Sequence, residues 1–265
     1  MYSRFQLAAK YLKYYFASSN GKGHGTHSPF IFHFITNILN DKKQYEEYTR
    51  VEKLRSQLLS DNAILEIEDF GAGSSINKTN KRTISSIVKN SAKPKKYGQL
   101  LFRMVKEYKP KQLLELGTSL GITTSYLALG NTTANLITME GANEVAEMAA
   151  KNFDELNIKN VTIEKGNFDY TLPALINKQS SFDFIFIDGN HRQEPTERYF
   201  AELLTRINKD SIMIFDDIHW SKEMEAAWES IKNHPEVICT IDLFFVGIVL
   251  FRKEFLAKQH FVIRF

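Results

Sequence analysis

Three aspartates end two apolar runs in this sequence. Asp188 closes "FDFIFID", and Asp216 and Asp217 close "SIMIFDD". Carboxylates gathered at neighbouring strand ends repel unless a cation or hydrogen-bond donors compensate. Oxygen donors suit a hard divalent ion such as Mg²⁺, which keeps waters for a substrate to replace. The alternative is structural, with Asp217 capping the next helix. His191 lies three residues past Asp188, and His219 two past Asp217. An imidazole takes a proton near neutral pH without a shifted pKa, so each is a candidate base. Each is also compatible with an ordinary polar contact in a loop.

Two further stretches have the form of a strand running into a glycine turn. These are "IEDFGAGS" (Ile67 to Ser74) and "LLELGTSLG" (Leu113 to Gly121). A ligand-binding turn needs a buried strand to aim it and glycines to let the backbone approach. It also needs a helix directly after, whose free N–H groups face the ligand. "LLELGTSLGITTSYLALG" meets all three, whereas "INKTNKRTISS" after the first turn is a poor helix face. A ribose is usually held by an acid ending the next strand, about 20 residues on. Glu140, ending "NLITME", stands there. Binding is therefore assigned to Gly117–Gly121, and "DFGAGS" is read as a structural turn or a turn near the mouth of the site. "GTSLG" also fits the G-x-S-x-G elbow of serine hydrolases, with Asp188 and His219 in triad order after Ser119. That fold needs an oxyanion loop upstream and more strands downstream than remain here.

The elements that must position these residues are legible from Lys111 onward. "QLLELG", "NLITMEG", "NVTIEKG", "FDFIFIDG" and "SIMIFDD" alternate with helical patterns. Such alternation predicts a parallel sheet with helices on both faces. "VICTIDLF" and "GIVLFRK" are nearly contiguous and should pair as an antiparallel hairpin. Upstream, Phe5, Ala8, Ala9, Leu12, Tyr15 and Phe16 recur at helical spacing. A face of that kind is expected to pack on the catalytic domain or on a second subunit, with a membrane surface the less usual choice. Ser28 and Pro29 mark a second helix start, and "YEEYTRVEKLRSQLL" reads as a third helix. The segment from Ile76 to Lys96 is basic, poor in large apolar residues, and expected to be exposed. It lacks interleaved aromatics, so no clear nucleic-acid partner is expected. His24, His27 and His33 cluster without the acid or cysteine that would complete a metal site.

The totals fit this picture. Of 265 residues, 43% are hydrophobic and 25% charged, ordinary values for a soluble globular chain. Residues 1–110 carry 19 Lys+Arg and 9 Asp+Glu (+10); residues 111–265 carry 15 and 22 (−7), summing to the overall +3. The split suggests an N-terminal helical and basic extension over residues 1–96, a possible lid, and a catalytic domain over 97–265. No apolar run approaches a membrane span. The lone cysteine, Cys239, fits a reducing compartment, and a cytoplasmic location is expected.

The ordered set "LLELGTSLGITT", "ITMEG", "VTIEKGNF", "FDFIFIDGNH" and "SIMIFDDIHW" resembles a class I S-adenosylmethionine-dependent methyltransferase, near the catechol O-methyltransferase-like branch. The resemblance runs from about Tyr97 to Lys253. It implies a Rossmann-like α/β fold with a seven-stranded, mostly parallel sheet whose last strand is antiparallel. It implies that Glu115, Gly117, Thr118, Ser119 and Gly121 face the methionine half of S-adenosylmethionine. It further implies that Glu140, with Gly141 beside it, accepts from the ribose hydroxyls, that Asn167 and Phe168 flank the adenine, and that Gly98 lies under the cofactor's entrance. The family commonly has an acid where Asn167 stands. Asp188 would bond the cofactor's amino group, or join Asp216 and Asp217 around Mg²⁺. His191 stands about where the catechol-type enzymes place a lysine base. The implied reaction is methyl transfer to an oxygen of a small-molecule acceptor, with a homodimer as one option for the assembly. The rival from another class is a methyltransferase-like module that binds nucleotide or cofactor without catalysis.

Overall fold

The structure is a computed structural model that describes residues 1–19, 21, 28–67, 81–252, 255 and 257–265. "DFGAGS", His24, His27 and the first part of the basic segment therefore lie outside the described residues. The chain forms two compact units, one of residues 42–178 and one of residues 1–41 with 179–265. This division differs from the expected boundary after residue 96, because residues 1–41 and 42–96 join different units.

The unit of residues 42–178 opens with α1 (Glu46–Leu59), β1 (Ile64–Glu66), β2 (Lys81–Thr83), α2 (Ile84–Ser91) and α3 (Lys95–Tyr108). β1 and β2 pair antiparallel. The basic segment is thus regular structure from Lys81 onward. Ile84, Ile87 and Val88 give α2 a buried face, and Thr83 caps it by accepting from the Ser86 N–H. Spacing of a few apolar residues outweighed the segment's basic composition. Then follow β3 (Gln112–Leu116), α4 (Ile122–Gly130), β4 (Asn135–Glu140), α5 (Asn143–Glu155), β5 (Val161–Lys165) and α6 (Phe168–Lys178). β3, β4 and β5 are parallel neighbours with β4 in the middle. β3 and β4 are nearly all buried, as continuous apolar runs covered on both faces must be.

In the other unit, α7 (Arg4–Ala17) and α8 (Pro29–His33) precede a π-helical turn over Phe34–Leu39. Ser28 caps α8, with Pro29 at its first position, as the sequence suggested. After residue 179 come β6 (Phe184–Ile187), α9 (Gln193–Leu204), β7 (Ile212–Asp216), α10 (Lys222–Asn233), β8 (Cys239–Asp242), β9 (Val246–Leu250) and β10 (Gln259–Val262). β6 and β7 are parallel. β9 runs antiparallel to both β7 and β8, which makes the expected hairpin and the expected reversed strand. Gly247 is required there: a Cβ would sit 2.7 Å from the Trp228 ring. β3 to β9 are the seven strands expected. β10 is an unexpected addition, parallel to β8; a four-residue strand with alternating exposure gives little periodic signal in sequence.

Candidate cofactor loop and acid cluster

Glu115, one residue before the end of β3, has a buried carboxyl group. Thr138 Oγ1 donates to Glu115 Oε2 at 2.6 Å, Thr124 Oγ1 donates to the same oxygen, and Thr118 and Thr138 share a bond of 2.7 Å. A polar group this deep needs such partners. Glu115 is thereby a brace under the loop, tying β3, β4 and α4 together. The loop then leaves the strand by a route that ordinary residues avoid: Gly117 has φ +108°, Ser119 +48° and Gly121 +77°. The N–H groups of Gly117 and Thr118 both donate to the Met139 carbonyl at 3.0 Å, which clamps the loop to the end of β4. At Gly121 a side chain is excluded twice, by the left-handed φ and by the Phe153 ring 2.5 Å from where a Cβ would be.

Glu140, at the end of β4, is the second anchor. Its Oε2 accepts from the Ser119 N–H (2.8 Å) and its Oε1 from the Ala142 N–H (3.0 Å). Burial raises its pKa, and the N–H groups of Ala142, Ser119 and Gly141 oppose that rise. The two carboxylate oxygens are thus held by backbone in one orientation. Gly166, φ +126°, turns β5 into α6. Asn167 caps α6, with Oδ1 accepting from the Asp169 N–H and its carbonyl from Tyr170 and Thr171. Asn167 and Phe168 are half-buried. Gly98 lies inside α3, where a Cβ would meet the Tyr126 ring at 2.5 Å, so the close packing of α3 on α4 accounts for it.

The other unit gathers Asp188, His191 and Asp216. One ligand atom from each lies within 4.8 Å of the others. His191 Nε2 is 3.4 Å from Asp188 Oδ1, and Asp216 is 1% exposed. Asn190 and His191 both adopt left-handed φ (+70° and +47°), and this sharp turn folds His191 back on Asp188. Two carboxylates at this separation call for a cation or an imidazolium between them. The donor set, two oxygens and one nitrogen, fits a divalent ion. The imidazole favours an ion such as Mn²⁺ over Mg²⁺, which prefers oxygen alone. Asp217, expected in this set, is not part of the group. It leaves the strand with φ +54°, its N–H bonded to the Phe245 carbonyl at 2.6 Å and its carbonyl to the Trp220 N–H. Consecutive residues at a strand end do not share a face. That His191 would be the third member was hidden in sequence, because it depends on the αL turn.

His219 is committed elsewhere. Its Nε2 bonds Asp242 Oδ2 at 2.8 Å, its Nδ1 bonds Glu225 Oε1 at 3.1 Å, and its ring stacks on Phe244. With both nitrogens held by carboxylates, it is neither a poised base nor the histidine of a triad with Ser119. The hydrolase reading fails on that ground.

Residues 114–218 match the family model described as a methyltransferase domain. Over that stretch the chain is similar to methyltransferase domains. Its α/β architecture is Rossmann-like and matches the fold of solved methyltransferase structures. Among curated proteins nothing matches the sequence. Solved structures do match in fold. The S-adenosylhomocysteine-bound methyltransferase PaMTH1 of Podospora anserina is 12% identical, with TM-score 0.60 over 96% of this chain and 98% of that one. The O-methyltransferase of Bacillus cereus in complex with S-adenosylhomocysteine is 18% identical, with TM-score 0.56 over 79% and 92%. The O-methyltransferase TomG of Streptomyces achromogenes, in complex with S-adenosylmethionine, is 16% identical, with TM-score 0.56 over 79% and 91%. The glycine loop and the strand ends bearing Glu140, Asp188 and Asp216 fall within the matched stretch. Among the described residues no helix is long and apolar enough to cross a membrane.

Proposed function

We propose that this methyltransferase moves the methyl group of S-adenosylmethionine to a hydroxyl oxygen of a small-molecule acceptor. One observation carries the reading: Glu140 is oriented by Ser119 and Ala142 at the mouth of a strained glycine loop. A carboxylate so held accepts two adjacent ribose hydroxyls. Gly117 to Gly121 offer backbone to the methionine half at the start of α4. Asn167, whose oxygen is used in capping α6, has its NH₂ for the adenine edge, with Phe168 beside it.

The choice of oxygen rests on the acid cluster. A neutral amine attacks a sulfonium methyl without help, whereas a hydroxyl must first lose its proton. Asp188, His191 and Asp216 are the groups that promote that loss. His191, oriented by Asp188, takes the proton when no ion is bound. A divalent ion held by the three would supply Lewis acidity that lowers the hydroxyl's pKa. Two of the similar structures are of proteins named O-methyltransferases, which supports the same choice.

The test is formation of S-adenosylhomocysteine from S-adenosylmethionine and a panel of phenols and alcohols, after binding of both cofactor forms is measured by calorimetry. Binding without turnover on any acceptor favours a non-catalytic module. No binding of either form at millimolar concentration overturns the reading altogether.

A further inference from the structure

α7 is docked the wrong way round for an amphipathic helix. Apart from the half-buried Leu7, its inward residues are polar or aromatic. Lys10 Nζ reaches both oxygens of Glu225 (2.9 and 3.0 Å), the Tyr14 hydroxyl donates to the Ile263 carbonyl, and Tyr11 packs edge-on against Phe244. Just ahead of the helix, the Tyr2 hydroxyl donates to Glu225 at 2.6 Å. Tyr14 is the only residue of the helix that is fully buried. The apolar residues point the other way. Phe5 is 83% exposed, Phe16 79%, Met1 62% and Leu12 56%, with Ala8 and Ala9 exposed among them. At 100° per residue Phe5, Ala8, Ala9, Leu12, Tyr15 and Phe16 fall on one stripe, and the exposed cations Arg4 and Lys13 fall on its two sides.

We infer that this stripe is a docking surface for an anionic lipid bilayer, on which α7 lies in the interface plane. Charge decides between occupants. Residues 1–40 contain Arg4, Lys10, Lys13 and Lys22 and no Asp or Glu. The acid beneath the helix, Glu225, is engaged by Lys10, Tyr2 and His219 on the inner side. A second copy of the chain would bring its own Arg4 and Lys13 to the same face with no carboxylate from either helix to meet them. An anionic headgroup layer supplies the missing charge, while the Phe side chains enter the acyl boundary. Tyr15, under the Arg264 guanidinium at 3.9 Å, has the amphipathic form favoured at such boundaries.

The experiment is co-sedimentation of the full chain with vesicles of phosphatidylcholine alone, and of phosphatidylcholine mixed equally with phosphatidylglycerol. Binding to the mixed vesicles only is expected, weakening as salt rises. Each basic residue near an anionic surface changes partitioning about fivefold, so Arg4→Gln with Lys13→Gln should weaken binding roughly 25-fold. Phe5→Glu with Phe16→Glu should abolish it. Both rings are solvent-exposed, so thermal melting of that variant should match the parent and exclude misfolding. No sedimentation with mixed vesicles, or equal sedimentation with both kinds, overturns the inference. So does a lipid-free dimer in sedimentation equilibrium that the Phe variant breaks, which would give the stripe to a second copy.

Discussion

The Ser119 N–H donates to Glu140 Oε2 at 2.8 Å, across 21 positions of sequence. One bond thus couples the glycine loop after β3 to the acid that ends β4. The loop and the carboxylate are thereby fixed to one another.

If Glu140 grips the ribose, Glu140→Gln removes a charged acceptor while keeping its shape. A hydrogen bond to a charged group contributes about 1.5–3 kcal/mol. Affinity for S-adenosylhomocysteine should therefore fall about 10- to 100-fold by calorimetry, and the ligand-free melting temperature should fall too, because an amide nitrogen cannot accept from the Ser119 or Ala142 N–H.

Gly121→Ala tests the loop itself. The new methyl group meets Phe153 at 2.5 Å and sits on a φ of +77°. A non-glycine residue in the left-handed region costs of order 1 kcal/mol, and the clash adds to it. Lower melting temperature and weaker cofactor binding are expected together. Phe153→Leu in the same chain should recover the part due to the clash and leave the part due to φ.

The acid cluster makes a separable prediction. Mn²⁺ should bind the full chain, as followed by the loss of its free-ion paramagnetic resonance signal. Asp188→Asn and Asp216→Asn should each weaken that binding at least tenfold. His191→Gln should weaken it less if the ring nitrogen is only a partial donor. Unchanged methyl transfer in excess chelator would remove the metal from the reaction and leave His191 as the base.

His219 supplies a pH dependence. Burial disfavours its charged form, but Asp242 and Glu225 outweigh burial and raise its pKa from 6.5. Lys10 and Tyr2 face the same group through Glu225. A histidine raised on folding stabilises most below its unfolded pKa, and that contribution is lost as pH rises through the folded value. The melting-temperature advantage of the parent over His219→Gln should thus be largest below the ordinary histidine pKa of 6.5 and shrink as pH rises above it.

Much of the cofactor side was legible because it is local. Glycines at 117 and 121, a helix directly after, and an acid ending the next strand are properties of adjacent segments, and each has a backbone reason. The acid side was only half legible. Strand ends put Asp188 and Asp216 in one neighbourhood, but replacing Asp217 with His191 depended on two consecutive left-handed residues, Asn190 and His191, which no spacing announces. His219 carried the same composition signal as His191 and proved to be a half-buried partner of Glu225 and Asp242.

Pattern in the chain alone determined that buried strands alternate with helices, that one hairpin reverses direction, and which loop carries the glycines. Those features follow from short-range periodicity and from the φ values that only glycine adopts freely. Tertiary structure decided which polar groups meet and which apolar face stays outside. The stripe of Phe5, Leu12 and Phe16 reads in sequence as a face to be buried, yet Lys10, Tyr11 and Tyr14 found better partners in Glu225, Phe244 and Ile263. Periodicity shows that a helix has two faces; only the charges and rings supplied by distant segments settle which one turns inward.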